Sequence, residues 1–235
     1  MKYMGSKSRI AKHILPIILK DRRPGQYYVE PFVGGANMID KVDGNRIGSD
    51  NSKYLIALWI GLQNNHPIIK SIPKDVYDKA RNDFNNGTNI YFTDFEIGFI
   101  GFMASFNGRF FDGGYNGNYT KRNYTKESID NLLSQIESIK GIEFFHFDYS
   151  VLQIPASSII YCDKPYQNTK QYFTSKNFNH EQLYQWCRDM KKIGHTIFVS
   201  EYEAPEDFKC VWSMNITNSM HTNNTTKPIE KLFKL

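Results

Sequence analysis

With 235 residues, 40% of them hydrophobic and 23% charged, the chain is long enough for one sizeable core and has the composition of an ordinary globular protein. No apolar run approaches the roughly 20 residues of a membrane span, and no apolar stretch with a cleavage site follows the basic MKYMGSKSRI, so neither membrane insertion nor a signal peptide is expected. Three widely spaced cysteines, Cys162, Cys187 and Cys210, argue against a disulfide framework or a zinc site and fit a reducing cytoplasm, while a net charge of +5 is weak evidence for a polyanionic partner.

In chain order, SRIAKHILPIILK (8–20) reads as an opening helix with a Ser start signal, which Pro16 either interrupts or bends. YYVEPFVGGANMID reads as a strand from Tyr27 to Glu30, a glycine-rich turn and a helix. RIGSDNSKYLIALWIGLQ repeats the theme, a short strand to Asp50 and an apolar-periodic helix from about Ser52. This β-loop-α-β-loop-α order opens a doubly wound α/β sheet. From about 60 to 135 the character changes: DFEIGFIGFMASF is apolar and helical despite two glycines, and NGRFFDGGYNGNYTKRNYTKES is a polar, aromatic loop or hairpin.

SIDNLLSQIESIK then reads as a helix, IEFFHFDYS as a strand ending near Asp148, and SSIIYCDKPY as another strand. NHEQLYQWCRDMKKIG is an amphipathic helix with an Asn start and a Gly194 stop, and HTIFVSEY is a strand. The C-terminal TNSMHTNNTTKPIEKLFKL reads as a polar loop closed by a short strand. The expected organisation is one α/β domain, residues 1–59 and 136–235, interrupted by a helical and hairpin subdomain, residues 60–135.

Four short stretches carry chemistry. EPFVGG puts an acid at a strand end before glycines that let backbone approach a nucleotide-like ligand, although a tight turn explains it equally well. Asp50 ends the next strand, where an acid accepts hydrogen bonds from ribose hydroxyls or caps the following helix. In KYMGSK, Lys7 suits a carboxylate or phosphate and Tyr3 an apolar face, against the alternative of a frayed tail. DKPY puts Asp163 at a strand end, with a proline and an aromatic ring presented to the crevice.

As an ordered set these stretches resemble the Dam-like, alpha-group DNA adenine-N6 methyltransferases. YMGSK resembles the N-terminal cofactor motif, EPFVGGANM the first sheet motif, and GSDNSKYLIALW the following acidic motif. RNYTKESIDNL and FHFDYS resemble the segment before the catalytic strand, DKPYQNTKQYF the catalytic motif, and FVSEY the next strand. The resemblance implies a Rossmann-like methyltransferase sheet with an inserted DNA-recognition subdomain. It implies S-adenosylmethionine as cofactor, S-adenosylhomocysteine as product, double-stranded DNA as partner, and no metal. Tyr3, Lys7, Asp50 and Asp163 would contact the cofactor, Glu30, Pro31, Phe32 and Gly34 would wall it, and Asp148 would bond its adenine end. Asp163, Lys164, Pro165 and Tyr166 would be catalytic, with Tyr166 stacking on a flipped adenine. The implied state is a monomer or weak dimer, and GATC is the site by analogy.

The family's usual proline is replaced by Lys164. Lysine keeps the backbone carbonyl but frees φ, and its ammonium either pairs with Asp163 or points away. An active enzyme and a catalytically impaired DNA- or cofactor-binding protein are therefore both consistent with the sequence; methylation of another flat amino group is the third reading. Within the insertion, Arg109, Tyr119, Lys121, Arg122, Asn123 and Tyr124 interleave cations, an amide and aromatics, a composition suited to phosphate and base contacts or to a plain solvated loop.

Overall fold

The computed structural model describes residues 1–119, 122–166, 178–215 and 229–235. The first half contains α1 (Ala11–Ile18), β1 (Tyr28–Glu30), β2 (Arg46–Ser49), α2 (Lys53–Gln63), α3 (Lys74–Asn86) and α4 (Asp94–Ala104). A short hairpin, β3 (Asn118–Tyr119) and β4 (Arg122–Asn123), leads into α5 (Tyr124–Leu133) and α6 (Ile136–Ile139). The second half contains β5 (Ile142–Phe145), β6 (Ile159–Cys162), α7 (His180–Lys192), β7 (Thr196–Glu201), β8 (Lys209–Asn215) and β9 (Ile229–Lys234).

The main sheet has the order β5-β2-β1-β6-β7-β9-β8. The first five strands are parallel, and β9 runs antiparallel between β7 and β8. The central strands are short and apolar because helices cover both faces: every residue of β1 and β6 is buried. One face packs Tyr28, Tyr161 and Phe198 against α1, α2 and α4; the other packs Val29, Ile160 and Val199 against Leu183, Tyr184 and Cys187 of α7. This is the expected doubly wound Rossmann-like sheet. Strand order reverses between β1 and β6, where Tyr28 pairs with Ile159 and Val29 with Ile160. A crevice opens at the carboxyl ends of strands at such a reversal, so Glu30 and Asp163 emerge side by side.

The insertion shares this core. Gly98 lets α4 lie against α2, since a Cβ there would sit 2.2 Å from the Tyr54 carbonyl oxygen. The helix starts at a capping box in which Thr93 and Glu96 satisfy each other's backbone N–H groups. Phe84, Phe110 and Phe111 stack together beside Tyr54 and Tyr77.

Several expected elements differ. The helix anticipated after the glycine turn is only a single 3-10 turn, Ile39–Lys41. Gly34 and Ala36 both take positive φ, 46° and 51°, which forbids a helix start there, and a turn at Gly44 follows at once. The helix expected over SIDNLLSQIESIK is split into α5 and α6. Gln135 interrupts it, drawn inward to donate to the Gly35 and Ala36 carbonyls and to Asp40. Strand β5 stops at Phe145, short of Asp148, and β8 was not expected at all. The polar C-terminal loop falls on residues outside the described ones. Among the described residues no helix is long and apolar enough to cross a membrane.

Candidate active site

Lys7 occupies the loop leading into α1 and is buried. Its Nζ lies 3.2 Å from Asp163 Oδ1 and 3.3 Å from Glu230 Oε1, and 4.4 Å from the centre of the Tyr166 ring. Burial opposes the charge on Lys7, but the Asp163 and Glu230 carboxylates outweigh it and hold its pKa above the ordinary lysine value. One ammonium cannot neutralise two carboxylates. Burial therefore pushes Asp163 up to about 6 against the pull of Lys7, with Glu230 adding to the rise. The Asp163 side chain is still 23% exposed. Among the described residues Oδ1 is thus pinned and Oδ2 has no partner.

Asp50, just past β2, accepts hydrogen bonds from the Gly34 and Ser52 amides at 3.2 and 3.0 Å. The helix cap itself is Ser52, so Asp50 braces the glycine turn rather than capping α2. Burial pushes Asp50 up to about 6 against these donors. Its two oxygens keep further acceptor capacity, since a carboxylate has about four lone-pair sites.

The glycines make room for Tyr3. A Cβ on Gly34 would lie 2.8 Å from the Tyr3 ring, and one on Gly35 would lie 2.6 Å from Tyr3 Cβ. It is Tyr3 that packs onto the turn, between it and Phe102. Glu30 is turned inward. It accepts from the Tyr28 hydroxyl at 2.8 Å, and burial holds its pKa well above the carboxylate range. Pro31 is buried beside it, and Phe32 packs on Tyr149 and Phe178. Asp148 is exposed and accepts from the Ser150 amide and hydroxyl at 3.0 and 2.6 Å.

One expectation for DKPY needs correction. Tyr166 does not display its ring: it is 8% exposed, donates its hydroxyl to Glu230, and meets Tyr202 edge-on at 4.8 Å. Of the two alternatives for Lys164, the ammonium points away from Asp163. It is buried against Glu201 at the end of β7, 3.0 Å from His180 Nδ1. Side chains alternate across an extended segment, so Asp163 faces Lys7 while Lys164 turns toward α7.

The insertion residues are held by their own neighbours. Arg122 makes a two-pronged pair with Glu127, at 2.6 and 2.9 Å, and lies over the Tyr124 ring. Asn123 caps α5 by accepting from the Lys126 amide at 2.8 Å. Arg109 pairs with Asp112 in a separate turn, and its buried Nε has no partner among the described residues. Lys121 and the side chain of Tyr119 lie outside the described residues. Sequence reasoning missed Glu230, Glu201 and His180. Glu230 had a signal, an acid on the same face as Leu232 in IEKLFK; both are buried.

A doubly wound sheet thus sets acids at three neighbouring strand ends around its switch point, the place where open α/β sheets commonly bind ligands. A family model, D12 class N6 adenine-specific DNA methyltransferase, matches residues 3–234, and the chain belongs to that family. No curated protein matches it. A solved structure, that of SMU.472, described provisionally as a methyltransferase and complexed with SAH, aligns over 99% of this chain at 10% identity with a TM-score of 0.45. The chain covers 53% of that protein, about half its length.

Proposed function

We propose that this methyltransferase transfers a methyl group from S-adenosylmethionine to N6 of an adenine flipped out of double-stranded DNA. The observation that carries the reading is the Asp163 carboxylate at the β1/β6 switch point, with one oxygen fixed by Lys7 and the other without a partner among the described residues.

The donor set suits the cofactor. Lys7 and the acids around it match a ligand bearing a carboxylate, an ammonium and a sulfonium, and Asp50 has acceptor capacity for a ribose diol. Tyr3, Lys7, Asp50 and Asp163 would hold it. Glu30, Pro31, Phe32 and Gly34 would wall its methionine end, and Asp148 would meet its adenine. When bound, S-adenosylmethionine supplies a methyl already activated by its sulfonium, and S-adenosylhomocysteine leaves.

The protein's part is positional and electrostatic. Adenine N6 is a poor nucleophile because its lone pair is delocalised into the ring. Asp163 Oδ2 and the Lys164 carbonyl accept the amino hydrogens, which lets the nitrogen pyramidalise. The proton lost from N6 passes through the Asp163 side to solvent. Tyr166 becomes a stacking surface once its buried ring is uncovered; stacking of this kind is worth roughly 1–3 kcal/mol per base. In this reading residues 60–135 recognise DNA, with Arg109, Tyr119, Lys121, Arg122, Asn123 and Tyr124 as its contacts, and residues 1–59 and 136–235 bind the cofactor. Burial of the Lys164 ammonium against Glu201 favours a working enzyme over an inactive binder.

The test is mass spectrometry of nucleosides after incubating the chain with S-adenosylmethionine and unmethylated DNA of mixed sequence. N6-methyladenine appears with the parent chain and is lost with Asp163→Ala. No product from the parent would leave the inactive-binder reading.

A further inference from the structure

The ladder between β6 and β7 pairs Ile159 with Thr196 and ends with Cys162 opposite Val199. Lys164 and Glu201 stand two residues further along each strand. They are therefore in register and on the same face as that last pair. Backbone pairing to β6 has stopped there, yet the Lys164 and Glu201 side chains close on each other, both almost fully buried. The ion pair continues the ladder by side chains where the backbone no longer does. On its other side the Lys164 ammonium lies 3.0 Å from His180 Nδ1, the first residue of α7, and 5.4 Å from the Tyr184 ring centre. The turn is thus held from both faces, by Lys7 on Asp163 and by Glu201 on Lys164.

We propose that the Lys164–Glu201 ion pair is the pin that fixes the direction of the Asp163–Tyr166 turn, making both residues positioning residues for methyl transfer. This rests on the proposed function for its kinetic consequence but not for its structural one. Lysine at 164 has a free φ where proline would be locked. Tying its head to β7 supplies the missing constraint. Because Lys164 and Asp163 point to opposite faces, fixing one aims the other. A turn that swings moves both the Asp163 carboxylate and the Lys164 carbonyl.

The experiment uses the full chain and the variants Lys164→Met, Glu201→Gln, Lys164→Arg and the double variant Lys164→Met/Glu201→Gln. It reads kcat, the cofactor KM, and amide exchange by mass spectrometry in a peptide spanning the turn and one spanning β1. Each charge-removing single variant should lower kcat about tenfold to a hundredfold, as expected for small misplacements. Cofactor KM should barely move, and exchange should quicken in the turn but not in β1. The double variant, with no charge left unpaired, should regain thermal stability without regaining kcat; Lys164→Arg should keep most of it. The proposal is overturned if both single variants keep kcat and turn protection, if exchange quickens equally in β1, or if the double variant recovers full kcat. A parent chain that methylates no DNA sinks the proposed function instead, and exchange in the turn then decides the pin by itself.

Discussion

Asp163 is asked to be ionised in a place that disfavours ions. With its pKa pushed up to about 6, the acceptor form is lost as pH falls below that value. The pH profile of kcat/KM should fall about tenfold per unit on the acid side of 6. The stability sign is opposite. The folded pKa is raised above its ordinary value of 3.8, so the folded state binds the proton more tightly than the unfolded chain does. That contribution is fully present below about 4 and disappears as pH rises through about 6. Ionised Asp163 thus costs on the order of 2–3 kcal/mol at pH 8. Asp163→Asn should abolish transfer while leaving Tm at pH 8 equal to the parent's or higher, by scanning calorimetry. A sharp loss of Tm would show that the Lys7 contact matters more than the burial.

Lys164 yields a prediction that runs against its family's habit. Lys164→Pro restores the usual residue, yet it leaves the Glu201 carboxylate buried without its ammonium. Loss of one partner of a buried pair costs about 3–5 kcal/mol. Urea unfolding should show that loss, and adding Glu201→Gln should recover most of it. At this scale the sequence was legible for position: Asp50 and Asp163 lie just past the ends of β2 and β6. For Lys164 it left two directions open and did not name Glu201, because that partner is on another strand.

Among the elements, the strands that carry the site were the easiest to read. β1, β6 and β7 are largely apolar runs with an acid at or just past the end, and burial on both faces demands the apolar part of that pattern. α4 was legible despite Gly98 and Gly101, since its apolar length outweighs two glycines whose use is close packing. Gly98→Ala would drive a methyl into the Tyr54 carbonyl and wedge α4 off α2. A cost of about 1–3 kcal/mol is expected in denaturant melts. β8 was illegible because most of its residues are exposed, so no apolar alternation marks it. The 3-10 turn was illegible for another reason: Ala36 takes a left-handed φ that its identity does not advertise.

For the molecule as a whole, the proposed DNA partner together with a net charge of +5 predicts an affinity that falls steeply with salt. The cations of the hairpin are not all free to act. Arg122 is held by Glu127, so Glu127→Gln should tighten DNA binding at low salt in a fluorescence anisotropy titration. Weaker binding would mean that the pair shapes the hairpin for its target. The complete site was not legible, because Glu230 reaches Lys7 only through the antiparallel placement of β9 between β7 and β8. No local pattern encodes that order.

The strand reversal that creates the crevice also dictates when the crevice can exist. β1 finds β6 only after the entire stretch between Glu30 and Ile159 has been looped out, whereas α2, α3 and α4 meet through nearby contacts. Long-range parallel pairing of this kind is slow compared with helix docking. During refolding, helical circular dichroism should therefore return before S-adenosylhomocysteine can bind, and the lag between the two signals is the time taken to bring β6 alongside β1.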